Sequence, residues 1–259
     1  METKTEQKME ILFGFFGILI ASILIILAAF ITPGYTPLED TVSSLGYGIA
    51  KSLFSIGFVI AGSLCIPFYI YLQRELININ EKIRKFATGT SIFSSVCIAL
   101  VGIIPDETYI DAFLAFHSFV AYISFTGSCI YIGLYSFLMY KGPTATSYAG
   151  PIFKRYLAYF GFFIDACYIL LVITQVPLIE WIVSISIILW ILITAIHLIV
   201  FKFFNIPGVY FRKTKYPEAL KLFEDALQIL NNLNLNNEPI TETLKENIEF
   251  LKSKIENDE

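Results

Sequence analysis

Charge is scarce in this chain. Asp, Glu, Lys and Arg make up 15% of its 259 residues, against about 25% in soluble domains. So thin a supply of polar surface excludes an ordinary soluble globule. The net charge of −4 leaves no basic patch for nucleic acid. Cysteine is sparse too. Cys65, Cys97, Cys129 and Cys167 each lie inside an apolar run, and none forms a CxxC pair. That spacing excludes a zinc finger and a disulfide framework and reads as four small buried hydrophobes. Histidine occurs twice, at His117 and His197. No HExxH, GxSxG or Walker loop is found.

What is abundant is hydrocarbon. Hydrophobic residues make up 56% and aromatics 16%, with mean hydropathy +0.68. Uncharged runs of about twenty residues match the thickness of a bilayer core, and helices satisfy their backbone groups within such a core. Six spans are expected, at Ile11–Ile31, Lys51–Leu72, Phe86–Ile104, Ala112–Tyr140, Tyr156–Val176 and Glu180–Phe204. The first run exceeds the roughly 7–15 residues of a signal-peptide core and reads as a true span. The fold class is all-α: a six-span transmembrane helical bundle with a small cytoplasmic helical hairpin at the C-terminus. Its parts are a cytoplasmic N-terminus (1–10), the six-helix domain (11–204) and an amphipathic tail (205–259).

Basic residues alternate along the chain. Lys4 and Lys8 precede the first span. Arg74, Lys82, Arg84 and Lys85 follow the second, Lys141, Lys154 and Arg155 follow the fourth, and Lys202, Arg212, Lys213 and Lys215 close the sixth. The positive-inside bias puts both termini in the cytoplasm of a cell-membrane protein. Acids collect on the opposite side, at Glu39, Asp40, Asp106, Glu107, Asp111 and Glu180.

Three ionisable groups fall within spans. Asp165 in "FFIDACY" is central to the fifth, where an acid costs about 2.5–3.5 kcal/mol on insertion scales. His197 lies toward the inner end of the sixth, and His117 just inside the outer end of the fourth. Each is either a site residue or a helix-to-helix hydrogen bond. Small residues recur at helical spacing: Gly14, Gly17 and Ala21; Thr88, Ser91, Ser95 and Gly102; Ala121, Ser124 and Ser128. Such faces let helices approach closely.

The most polar outer stretch is "TPGYTPLEDTVSSLGYG", residues 32–48. Its prolines and glycines punctuate a structured segment, with Thr36 and Glu39 spaced as a capping box. "YTPLEDTVSSLG", then "GIIPDE", then a histidine early in the next span resembles the domain-of-unknown-function 998 family of prokaryotic multi-pass membrane proteins. Tyr35, Pro37, Asp40, Thr41, Ser43, Leu45, Gly46, Gly102, Pro105 and His117 carry the resemblance; Ser44 and Ile104 depart from its pattern. It implies about six spans and a membrane location and brings no shared activity.

After Phe204 the chain turns charged. Ala219, Leu220, Phe223, Leu227 and Leu230 form one apolar stripe, and Leu244, Ile248, Leu251 and Ile255 another. The break at "NNEP" predicts an αα-hairpin, whose apolar faces bury against each other or a protein partner. "YPEALKLFEDALQIL" resembles the second helix of a tetratricopeptide repeat, without a first helix before it.

Three functions stay open. The first is a non-enzymatic lipid-organising, assembly or accessory component whose partner is membrane lipid. The second is a metal-dependent hydrolase acting on a lipid at the outer interface. There Asp40, Asp106 and His117 would hold a divalent metal such as zinc, and Ser43 or Ser44 would orient water or substrate. The third is a small-molecule or ion carrier using Asp165.

Overall fold

The structure, a computed structural model, describes residues 4–104, 111–144, 151, 153–203, 215–232 and 239–256. Six long apolar helices follow one another: α1 (Lys4–Ile31), α2 (Lys51–Glu75), α3 (Glu81–Ile103), α4 (Asp111–Lys141), α5 (Arg155–Thr174) and α6 (Pro177–Phe203). Two shorter polar helices, α7 (Lys215–Asn232) and α8 (Pro239–Glu256), come after them. No strand occurs among the described residues. Each of the six is long and apolar enough to cross a membrane, so the chain is an all-α, multi-pass membrane protein.

Hydropathy located the helices but not their ends. α3 begins at Glu81 rather than Phe86, because the Asn80 side chain accepts the Ile83 N–H at 3.1 Å and caps a polar first turn. Glu81 pairs with Arg84, and Arg84 also donates to the Gln73 carbonyl at 3.1 Å. α6 begins at Pro177 rather than Glu180, since proline's missing N–H costs nothing in a first turn.

The six helices form a closed ring. Each packs on its chain neighbours, and α6 returns to α1. Ion pairs and cation–ring contacts gather at one end. Arg74 on α2 pairs with Glu10 on α1. Lys202 on α6 lies 3.9 Å from Glu75 on α2, and the Lys8 ammonium stands 4.6 Å from the Phe203 ring centre. The start of α1 and the ends of α2 and α6 therefore meet at one basic end of the ring. The 32–50 loop meets the start of α6 at the other.

Small residues make the close contacts. A Cβ placed on Gly62 would lie 2.4 Å from the Ser95 carbonyl oxygen, and one on Gly102 would lie 2.7 Å from that of Ser55. These distances bring α2 and α3 backbone to backbone. Gly14 and Gly17 receive Phe68 and Leu64 of α2 in the same way. Buried hydroxyls join across helices as well. The Tyr69 and Tyr131 hydroxyls are 2.6 Å apart, and Tyr135 meets Thr88 at 3.0 Å.

The expected result for Gly62→Ala is a loss of about 1–3 kcal/mol, the cost of overpacking a tight interface. Gly89 has nothing within 4 Å of an added Cβ, so Gly89→Ala holds or raises stability. Thermal unfolding of the two variants in one detergent checks the contrast.

Residues 206–259 form a separate compact unit. In it α7 and α8 pack together, Ile248 and Leu251 are buried, and Lys252 meets Glu224 at 3.0 Å. The predicted hairpin is there. Its turn, with "NNE" of "NNEP", falls outside the described residues. Ile229, Ile240 and Phe250 stay exposed.

Candidate functional site

The polar loop is folded, and the last helix holds it. After α1 ends, Gly34 turns the chain at φ +73°, a left-handed conformation that glycine adopts without strain. The Asp40 N–H bonds to the Thr36 carbonyl at 2.8 Å, and the Thr36 N–H donates to the Asp40 carboxylate at 2.9 Å. The Glu39 N–H reaches the same carbonyl at 3.1 Å, but the returning carboxylate is that of Asp40 and not of Glu39. Ser44 donates to the Thr41 carbonyl at 2.7 Å, and Ser43 opens a short 3-10 turn, Ser43–Gly46. Val42 and Leu45 from this segment are buried.

Trp181 is the clamp. Its indole N–H donates to the Tyr35 hydroxyl at 3.0 Å and to the Asp40 carbonyl at 3.2 Å. Tyr35 in turn donates to the Thr41 carbonyl at 2.7 Å, and the Tyr35 and Trp181 rings meet edge-on with centres 6.1 Å apart. Beside them the Glu180 carboxylate accepts the Val42 N–H at 3.1 Å. Two adjacent α6 residues therefore satisfy loop groups about 140 residues away in sequence.

Burial pushes the Tyr35 hydroxyl from 10.0 up to about 12; the Trp181 N–H opposes this, while the Asp40 and Glu180 charges add to it. The neutral phenol is the form the folded loop favours. Its contribution is complete below pH 10 and is lost as pH rises through about 12. A Trp190→Phe chain leaves Trp181 as the sole tryptophan, since the sequence has two. Its emission should stay constant below pH 10 and shift as pH rises through about 12, and a Tyr35→Phe background should remove that shift.

His117 is buried, 2% exposed. Its Nδ1 lies 2.7 Å from the Ile104 carbonyl, which can only accept, so Nδ1 carries the hydrogen. This bond ties the start of α4 to the end of α3. Nε2 is enclosed without a hydrogen-bond partner among the described residues. Asp106 and Glu107 lie outside the described residues. Asp40 and His117 stand in separate hydrogen-bond systems, and among the described residues no three His, Cys, Asp or Glu side chains are grouped to hold a metal.

Asp165 is half-buried between α5 and α4. A Cβ on Gly133 would come within 2.3 Å of its Oδ2, so Gly133 is the space the carboxylate occupies. Oδ1 has no hydrogen-bond partner among the described residues. The His197 ring lies 4.9 Å from that of Phe153. All four cysteines are free.

Composition could not reveal the cavity inside the ring. It measures about 110 Å³ and is lined by α1, α2, α3, α4 and α6, with Val42 of the loop and Trp181 at its loop end. On α6 the lining runs from Trp181 to Ile191, about 15 Å along a helix axis. Isoleucine is the commonest lining residue and serine the next, and among the described residues no Asp, Glu, Lys, Arg or His lines it and α5 contributes nothing. Asp165 therefore stands outside it. Ile185 lines the cavity and is also 47% exposed, and Val42 places the cavity against the loop.

The sequence pattern of a family described as "Protein of unknown function (DUF998)" matches residues 15–197. The chain belongs to the DUF998 family. The matched DUF998 region takes in most of α1, all of α2–α5 and most of α6, and so the loop, the clamp and the cavity. The α7–α8 hairpin lies beyond it. No curated protein and no solved structure matches the chain.

Proposed function

We propose that this DUF998 protein is a non-enzymatic, lipid-organising component of the cell membrane that takes a lipid hydrocarbon chain into its cavity beneath the clamped loop. The observation that carries the reading is the cavity's lining, aliphatic and aromatic with a few hydroxyls and no charge. Apolar cavities of about 150 Å³ stay dry and take up apolar guests, and the hydrocarbon nearest this one is the surrounding lipid. Ile185, which lines the cavity and is also exposed on α6, marks the side from which a chain would enter without passing through water. With basic residues at the end shared by the start of α1 and the end of α6, the positive-inside bias puts that end in the cytoplasm and the loop outside. Native mass spectrometry of the purified chain tests the reading. A population carrying one retained lipid is expected; bare protein alone, under conditions that keep it folded, would contradict it.

A metal-dependent lipid hydrolase is the second reading, favoured by the enclosed His117 Nε2, which has no hydrogen-bond partner among the described residues. Asp40 and Asp106 would complete the ligands, and Ser43 or Ser44 would orient water. Metal analysis of the purified chain beside His117→Ala decides it. Stoichiometric zinc lost in the variant supports the centre, and equal, negligible metal in both removes it.

A further inference from the structure

The apolar core of the helix ring is in two parts. One gathers around Ile18, Phe68, Tyr69, Tyr131 and Trp190, toward the basic end. The other gathers around Ile25, Val42, Leu45, Phe54 and Trp181, at the loop end. Among the described residues the two parts share no member. The cavity lies between them. Ile18, Tyr69 and Ile191 of the first part line it, and so do Ile25, Val42 and Trp181 of the second. Small side chains explain the break. Ala21, Ala61, Ser95, Ser124 and Ser184 come to the lining from five helices, and such side chains are too short to fill the space between them. Atoms that face a gap forfeit the contacts they would make in a filled core. A hydrocarbon chain held there restores those contacts and joins the two parts.

Two of the lining residues also hold the loop in place. Val42 belongs to the loop, is buried and lines the cavity, and its N–H donates to Glu180 on α6. Trp181 lines the cavity from α6 and donates its indole N–H to Tyr35 and Asp40 of the loop. When the loop leaves α6, Val42 leaves the wall with it. The Trp181 indole then loses both acceptors that fix its place. A guest therefore meets a more complete wall while the loop is clamped. A ligand shifts an equilibrium by the difference in its affinity for the two states, and that coupling is reciprocal.

We infer that the cavity and the loop are one linked device: a hydrocarbon chain in the cavity tightens the clamp on residues 32–50, and release of the clamp loosens the chain. The inference rests on the chain-binding reading above and adds what occupancy does to the protein. It makes the loop the part of the surface at which filling of the cavity is displayed.

The test uses the full-length Trp190→Phe chain in digitonin, a detergent built on fused rings rather than a straight chain. Decane dibrominated at mid-chain is the probe. Bromine quenches an indole it touches, so quenching of Trp181 reports occupancy. Hydrogen exchange of the Asp40, Val42 and Leu45 amides, with and without the probe, reports the clamp. The probe should slow these three amides about fivefold, the low end of coupling between two sites. The Ile83 and Arg84 amides, bonded to Asn80 at the start of α3, should keep their rates. Val42→Ala should keep the quenching and show a smaller slowing at the loop. Quenching without slowing at the loop overturns the inference and leaves chain binding standing. Equal slowing at the loop and at Ile83 and Arg84 overturns it too, because it means general stabilisation, and so does undiminished slowing in Val42→Ala. Absence of quenching removes the chain-binding reading itself, and the inference with it.

Discussion

Trp181→Ala releases the 32–50 loop from the end of α6. Trp181 is 7% exposed and joins the loop through two hydrogen bonds and one aromatic contact. Truncating a buried tryptophan costs about 3–5 kcal/mol, and here the loss falls on the loop it clamps. Trp181→Phe separates the contributions, because it keeps a ring and removes only the N–H. Leaving the Tyr35 hydroxyl and the Asp40 carbonyl without that donor costs about 1–3 kcal/mol. Hydrogen exchange reads the difference directly. The amides of Asp40, Val42 and Leu45, all bonded in the parent, should be protected there, exchange fastest in Trp181→Ala and be intermediate in Trp181→Phe. Equal protection in all three chains would mean that the loop is held by something else, such as the buried Leu45.

On the proposed chain-binding reading, Ala61→Phe is expected to leave the cavity without lipid. Ala61 is on α2, partly buried, and lines the cavity. A phenyl ring there occupies the space assigned to the hydrocarbon chain, with no polar group disturbed. Two effects are expected together. Retained lipid disappears from the native mass spectrum, and thermal stability measured without added lipid holds or rises, by about 0.5–2 kcal/mol for a well-fitted cavity filling. The pairing matters, because a merely damaged fold would lose both lipid and stability. Retained lipid at the parent level would move the lipid to the outside of the helix ring.

Much of the fold was legible because membranes impose simple rules. Long uncharged runs gave six spans, and the alternation of basic residues anticipated that the start of α1 and the end of α6 share one end, which Arg74–Glu10 and Lys202–Glu75 bear out. The small-residue faces also hold, with Gly14 and Gly17 against α2 and Gly102 against Ser55. Helix ends were less legible. Asn80 starts α3 by a cap and Pro177 starts α6 by a missing N–H, and neither leaves a trace in hydropathy. The site was the least legible part. Tyr35 and Asp40 were singled out in the loop, but their partner Trp181 lies 146 and 141 residues away, and nothing local to "LIEWIV" announces that its indole is a clamp. The carboxylate that returns to Thr36 belongs to Asp40, although Glu39 has the capping-box spacing. His117 was expected to meet acids; its Nδ1 meets the Ile104 carbonyl, and Asp106 and Glu107 lie outside the described residues.

The most direct test of a lipid chain held inside the helix ring is Trp181 emission from the Trp190→Phe chain in bilayers whose phospholipids carry brominated acyl chains. Trp181 is almost fully enclosed, so bulk lipid has little access to its ring, and a chain in the cavity touches it. The account predicts strong quenching that Ala61→Phe abolishes. Quenching that is absent in the parent, or that Ala61→Phe leaves unchanged, would contradict it.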